Sequence, residues 1–171
     1  MSTSNVHFEI RTAIPDDLTE IVRIYNQSVL TGFETADIVP VTIESRKAWF
    51  VEHVPETYPI YVVLKASRLI GWVSVSPYRP GRGALKSTVE ISYYVDADFR
   101  RQGVATMLLN FVTAECKRIG YKNIFAIVID RNSASMELLK KANFEVWGTL
   151  PNVAEFNGVE CNHIYFGKRL F

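Results

Sequence analysis

The residues Arg100-Arg101-Gln102-Gly103-Val104-Ala105 have the types and spacing of an anion-binding turn. They follow an alternating apolar run, Val89 to Val95, and open a helical pattern from Val104 to Ile119. A strand therefore feeds a short polar turn, and the turn feeds a helix N-terminus. The unpaired N–H groups there, with the positive end of the helix dipole, attract phosphate. Gly103 lets the backbone come close to a ligand. Two arginines add positive charge, and no acid follows Asp98 within the turn. Taken alone, the same string also describes a loosened turn with solvated arginines, so the rest of the chain has to decide. A second candidate is Glu90, a carboxylate on an otherwise apolar strand. A carboxylate near a desolvated pocket has a raised pKa and is suited to accept a proton near neutral pH. Its plainer alternative is a strand-face acid paired with a loop arginine, Arg79 or Arg82. Asn132 stands at the start of a later helical pattern as a capping candidate, and Ser135 is a hydroxyl on the surface of that helix.

These residues need elements to hold them. Val6 to Arg11 alternates and reads as a strand. Pro15-Asp16-Asp17 starts a helix whose apolar stripe is Leu18, Ile21, Val22, Ile24, Tyr25 and Val29. Thr42 starts a second helix, through Ala48, Trp49, Phe50 and Val54. Ile60 to Ala66 and Leu69 to Ser76 read as a hairpin turning at Ser67-Arg68. Pro77 to Ser87 is a Pro/Gly/Arg-rich loop. After the strand at 88–95 and the helix ended by Gly120 comes Asn123 to Ile129, nearly continuous in apolar residues, the pattern of a central strand covered on both faces. Asn132 and Ser133 cap a fourth helix through Met136, Leu138 and Leu139. Phe144 to Gly148 and His163 to Phe166 are strands, with Asn157-Gly158 as a hairpin turn. The order β-α-α-β-β-β-α-β-α-β-β gives an α/β (α+β) mixed sheet with helices packed on it.

The chain has 171 residues, 48% hydrophobic and 22% charged, with a formal net charge of +1. That size and balance suit one globular domain, 1–171, and carry no general nucleic-acid signal. No apolar run is long enough to span a bilayer, and Met1 to His7 lacks the basic start and apolar stretch of a secretory signal. Cys116 and Cys161 match no zinc or redox spacing and read as reduced cytosolic thiols. His7, His53 and His163 form no metal spacing, so no metal is expected. No G-x-G-x-x-G follows the first strand, which argues against a dinucleotide-binding enzyme.

On these elements the chain resembles the GNAT acetyltransferase superfamily over essentially its whole length. The superfamily's phosphate-binding pattern, Arg/Gln-x-x-Gly-x-Gly/Ala, is met by Arg100, Gly103 and Ala105 after the fourth strand, and Asn132 follows the fifth. Within the superfamily it is most similar to the phosphinothricin and methionine sulfone/sulfoximine acetyltransferase group. The strings that carry this are Ile24-Tyr25-Asn26, Thr35-Ala36, Arg46-x-x-Trp49-Phe50, Thr88-Val89-Glu90-x-Ser92-x-Tyr94-Val95 and Trp147-Gly148.

The resemblance implies a GNAT fold, a central mixed sheet of about seven strands flanked by about four helices. It implies acetyl-CoA as cosubstrate, a small amino-acid-like amine as acceptor, direct attack in a ternary complex, and a cytoplasmic homodimer with no nucleic-acid or membrane partner. The pyrophosphate would rest on the backbone N–H groups of Gln102, Gly103, Val104, Ala105 and Thr106, with Arg100 or Arg101 adding charge. The pantetheine arm would run along Tyr93, Tyr94 and Val95, as an added strand does. Asn132 and Ser135 would face it. The N–H of Val95 or a neighbour would steady the oxyanion. In the superfamily this strand usually splays after a bulge, and none is legible here. Glu90 matches the group's general base and Arg79 its carboxylate-binding arginine, while Phe33, Thr35, Val89 and Ile91 would border the acceptor. Leu139 stands where relatives carry the Tyr or His that protonates the leaving thiolate, so that proton falls to water, to an unidentified side chain or to no group. Asn143 stands in place of the usual helix-end Gly. Trp49, Phe50, Trp147 and Phe156 would supply a dimer patch or, alternatively, finish the monomer core. Two other readings stay open: a protein or peptide N-terminal acetyltransferase, and a non-catalytic acyl-CoA-binding domain.

Overall fold

The computed structural model describes residues 8–171, so Val6 and His7, the predicted start of the first strand, lie outside the described residues. Seven strands and four α-helices follow in the expected order: β1 Phe8–Thr12, α1 Leu18–Thr31, α2 Ile43–Glu52, β2 Ile60–Lys65, β3 Arg68–Pro77, β4 Thr88–Val95, α3 Val104–Ile119, β5 Asn123–Ile129, α4 Ser133–Lys141, β6 Glu145–Phe156 and β7 Val159–Arg169. They form one sheet in the order β1-β2-β3-β4-β5-β7-β6. β4 and β5 run parallel, and the remaining neighbours are antiparallel.

The sheet has two differently covered faces. On one, the stripe Val104, Leu108, Leu109, Val112 and Cys116 of α3 is almost wholly buried against Val73, Val75, Val89 and Ile91. Its spacing of three and four residues is what places it on one side of the helix. Each such side chain contributes about 1.5–3 kcal/mol by leaving water. On the other face, Ile21 and Ile24 of α1 pack on Ile60, Val62 and Trp72. α1 is entered through a 3-10 turn at Pro15–Asp17, where the Asp17 carboxylate takes the Ile14 N–H and both guanidinium arms of Arg11. Thr42 caps α2 by accepting from the Ser45 N–H. Gly120 ends α3 at φ +105, and Asn143 takes φ +60 after α4, the left-handed role expected of it.

Two local expectations are corrected and one alternative is narrowed. The β2–β3 turn is Ala66-Ser67, with φ +48 and +65, so Arg68 opens β3. β6 and β7 run well past Phe144–Gly148 and His163–Phe166. Register shifts near Val146 and Leu150 break the two-residue period of β6, and most of its side chains are exposed, so simple alternation failed to mark its length. Of the aromatics offered for a dimer patch, Trp49 and Phe50 pack on the α1-side core, with Trp49 5.8 Å from Trp72. Phe156 is buried 4.9 Å from Phe33. Trp147 stays 43% exposed.

Candidate active site

β4 and β5 pair over three residues, Thr88–Glu90 with Asn123–Phe125, and then separate. No bulge causes this: β4 stays in continuous register with β3 from Val89 to Val95. The fork opens a cleft of about 650 Å³ lined by Ile91–Val95, Ala126–Val128, the turn at 100–106 and the start of α4. Asp96 N–H donates to Ile70 O. In an antiparallel ladder the bonding direction alternates, so the N–H and C=O groups of Val95 and Tyr93 aim away from β3 into the cleft.

The turn at the cleft mouth is a cradle of backbone donors. Arg101 and Gly103 have φ +56 and +83, and Gly103 is the N-cap of α3. The first helical bond runs from Met107 N–H to Gly103 O, and among the described residues the N–H groups of residues 101–106 find no backbone acceptor. A Cβ at Gly103 would meet nothing within 4 Å among the described residues, so the space above it is open. The left-handed backbone and open approach suit a phosphate. Gln102 is exposed, its side chain turned back to Asp98 O, so its contribution to the turn is its backbone.

The turn is posted on Asp96, which is 0% exposed. Burial alone would raise this carboxyl; hydrogen bonds from Arg23, the Asp98 N–H and Arg68 overcome that and hold it at about 2. Arg23 reaches it from α1 at 2.6 Å and Arg68 from β3 at 3.0 Å. Three elements thus converge on the residue that precedes the turn.

Glu90 occupies the last paired position before the fork, opposite Ser76 on β3 and Phe125 on β5. It shares a sheet face with Ser92 and Tyr94, toward α1 and α2. Val89, Ile91, Tyr93 and Val95 face α3 and α4. The donor cradle and the carboxylate therefore lie on opposite faces, joined through the fork. Glu90 is half-buried, and desolvation pushes its pKa up. No described residue makes an ion pair with it, and Arg79 and Arg82 are exposed, which sets aside the surface-pair alternative. The Ser76 hydroxyl is taken by His53 Nε2 at 3.1 Å, while His53 Nδ1 meets the Trp49 carbonyl at 2.7 Å. Beside Glu90 lies an aromatic floor: Phe125 is 4.7 Å from Tyr78, 5.3 Å from Trp147 and 5.8 Å from Tyr165. Trp147 lies so close over Gly167 that a Cβ there would sit 2.0 Å from its ring.

The structure brings most of the expected site residues together. Tyr93, Tyr94, Val95, Arg100, Arg101, Gly103, Val104, Ala105, Thr106, Asn132 and Ser135 line the cleft. Asn132 Oδ1 caps α4 by accepting from the Ser135 N–H, and the Ser135 hydroxyl meets the Tyr93 hydroxyl at 2.5 Å. Tyr94 turns its ring to the other face, 4.9 Å from Tyr25 and 4.8 Å from Trp72. Val89 and Ile91 are corrected as acceptor contacts: their side chains, 0% and 2% exposed, belong to the core on the face away from Glu90. Leu139 is also core, 0% exposed. Phe33 packs on Phe156, the Thr35 hydroxyl meets Tyr25 at 2.7 Å, and Arg79 stands over the Tyr78 ring. Sequence reasoning missed Glu34 and Ser28, which line the cleft, and the aromatic floor. Trp147-Gly148 was a visible signal for the floor, but the bulge that aims Trp147 is not written in the string.

An acetyltransferase (GNAT) domain family model matches residues 7–145. The Bacillus subtilis protein YwnH, which carries a provisional phosphinothricin acetyltransferase name, is 33% identical over 162 residues, covering 94% of this chain and 98% of that one. The L-methionine sulfoximine/L-methionine sulfone acetyltransferase of Pseudomonas aeruginosa is 33% identical over 147 residues, covering 85% of each chain. The crystal structure of a phosphinothricin acetyltransferase from Sinorhizobium meliloti in complex with acetyl-CoA superposes with a TM-score of 0.89 at 26% identity, covering 95% of this chain and 88% of that one. The chain belongs to the GNAT acetyltransferase family. It is an N-acetyltransferase related to the phosphinothricin and methionine sulfoximine/sulfone acetyltransferases.

Proposed function

We propose that the enzyme moves an acetyl group from acetyl-CoA to the primary amine of a small amino-acid-like acceptor, by direct attack in a ternary complex. The observation that carries this reading is the fork: free backbone donors at its mouth on one face, and an unpaired, half-buried carboxylate at its apex on the other. Gly103 to Thr106 would hold the pyrophosphate, and the inward-facing backbone of Tyr93 and Val95 would hold the arm. Bound acetyl-CoA supplies the thioester carbonyl. Glu90 takes one proton from the acceptor ammonium, directly or through water, and the freed amine then attacks. As the C–N bond forms and the C–S bond breaks, the second amine proton balances the departing thiolate. The N–H of Val95, or of a neighbour, would steady the oxyanion. Arg79, over Tyr78 at the rim of the aromatic floor, would receive the acceptor carboxylate, with Phe33 and Thr35 bordering that side.

The test is an acetyl-CoA consumption screen with amino acids, methionine sulfone, methionine sulfoximine, phosphinothricin, polyamines and short peptides. Turnover of the amino-acid analogues supports the reading. Turnover of peptides alone would make it a protein N-terminal acetyltransferase, and no turnover with acetyl-CoA bound would leave an acyl-CoA-binding domain. We further propose a cytoplasmic homodimer. Among the described residues no helix is long and apolar enough to cross a membrane. Val146, Trp147, Leu150 and Val153 leave exposed apolar surface on β6, and a two-fold pair uses one patch twice. Light scattering at micromolar protein tests this; a mass near 19.5 kDa with full activity would refute it.

A further inference from the structure

One ion pair joins the α1–α2 loop to the turn before α3. Arg100 Nη1 donates to Glu34 Oε1 and Nη2 to Glu34 Oε2, each at 2.9 Å. This is the fork-to-fork geometry that fixes the two planar groups against each other. Both side chains line the cleft. Glu34 stands between Phe33 and Thr35. The Phe33 backbone is left-handed, at φ +61, with its ring against Phe156. Thr35 is tied to Tyr25, whose hydroxyl also donates to Asp37. The loop that borders the acceptor side is thus tied to β6 and to α1, and through Glu34 to the turn with the free backbone donors.

We propose that Glu34 is a positioning residue that couples the two substrate sites: filling of the 100–106 turn by acetyl-CoA sets the 32–37 loop through the Arg100 guanidinium. This rests on the reading given under Proposed function. A guanidinium has five N–H donors, so the two spent on Glu34 leave three for phosphate oxygens. One rigid plane then contacts the carboxylate and the anion together. A lysine, as a rotatable point charge, cannot transmit that orientation.

Hydrogen–deuterium exchange with acetyl-CoA tests the coupling without needing the acceptor. In the parent enzyme, acetyl-CoA is expected to slow exchange in the 100–106 turn and in the 32–37 loop. Glu34→Ala should keep the first effect, with acetyl-CoA affinity within about threefold, and lose the second. Its KM for methionine sulfoximine should rise about tenfold, with kcat changed less. Arg100→Lys keeps the charge and should also lose the loop effect; it carries the test if Glu34→Ala does not fold. Loop protection in Glu34→Ala equal to the parent's overturns the coupling and leaves the proposed function standing. No protection of 100–106 in the parent overturns both.

Discussion

The turn at 100–106 and the fork at Glu90 lie about one strand apart in sequence, yet they are built from different materials. The turn is made of backbone. Its working groups are N–H donors left free by a helix start, and its special residues, Arg101 and Gly103, are special for their φ angles. The fork is made of side chains brought in from elsewhere: Ser76 by β3, Phe125 by β5, Trp147 by β6, Tyr165 by β7. A site of the first kind can be spoiled by one residue that blocks the backbone. A site of the second kind can be tuned, because it is burial by surrounding groups that raises the Glu90 pKa.

Gly103→Val is the sharpest way to break the turn. A β-branched residue is strained at φ +83 and fills the open approach. Acetyl-CoA affinity should fall on the order of a thousandfold by calorimetry, with a native circular dichroism spectrum. Unchanged affinity in a folded variant would place the pyrophosphate elsewhere. Asp96→Asn attacks the post beneath the same turn. It leaves Arg23 and Arg68 facing a neutral amide, and should cost about 3 kcal/mol in denaturant unfolding. Because the folded carboxyl sits at about 2, below its ordinary 3.8, its stabilising effect is present above the ordinary value and is lost as pH falls toward 2. An Asp96→Asn protein that keeps the parent's acid sensitivity between those limits would contradict this.

At the fork, Glu90→Gln keeps the shape and removes proton acceptance. Turnover should fall on the order of a hundredfold, with acetyl-CoA binding nearly unchanged. Activity within a few-fold of the parent across neutral pH would assign the base elsewhere. With Glu90 assigned as the base, its protonation would stop the reaction in the parent, so the acid limb of kcat/KM should lie above the ordinary glutamate range. The smallest effect tests the tuning. Trp147→Ala lets water onto the aromatic floor, and lower desolvation should move that limb down by about half a pH unit. A limb that stays or moves up would remove Trp147 from the environment of Glu90.

The same contrast explains how far the sequence could be read. The turn was legible because its signal is local: strand, Arg-x-x-Gly, helix. Glu90 was legible as a charge on an apolar strand, but its surroundings were not. Val89 and Ile91, expected at the acceptor, flank Glu90 in sequence, yet the two-residue period of a strand sends them to the opposite face and into the core. The splaying of β4 from β5 has no bulge to announce it. The length of β6 was hidden by its register shifts, which also aim Trp147 over Gly167. Glu34 carried no signal at all, since its partner Arg100 is 66 residues away.

The most direct test of the central assignment needs no substitution. In an amide-resolved NMR titration with acetyl-CoA, the account predicts that Gly103, Val104, Ala105 and Thr106 shift most, with Tyr93 and Val95 following along the cleft. Largest shifts on another element, with residues 101–106 unmoved, would contradict it.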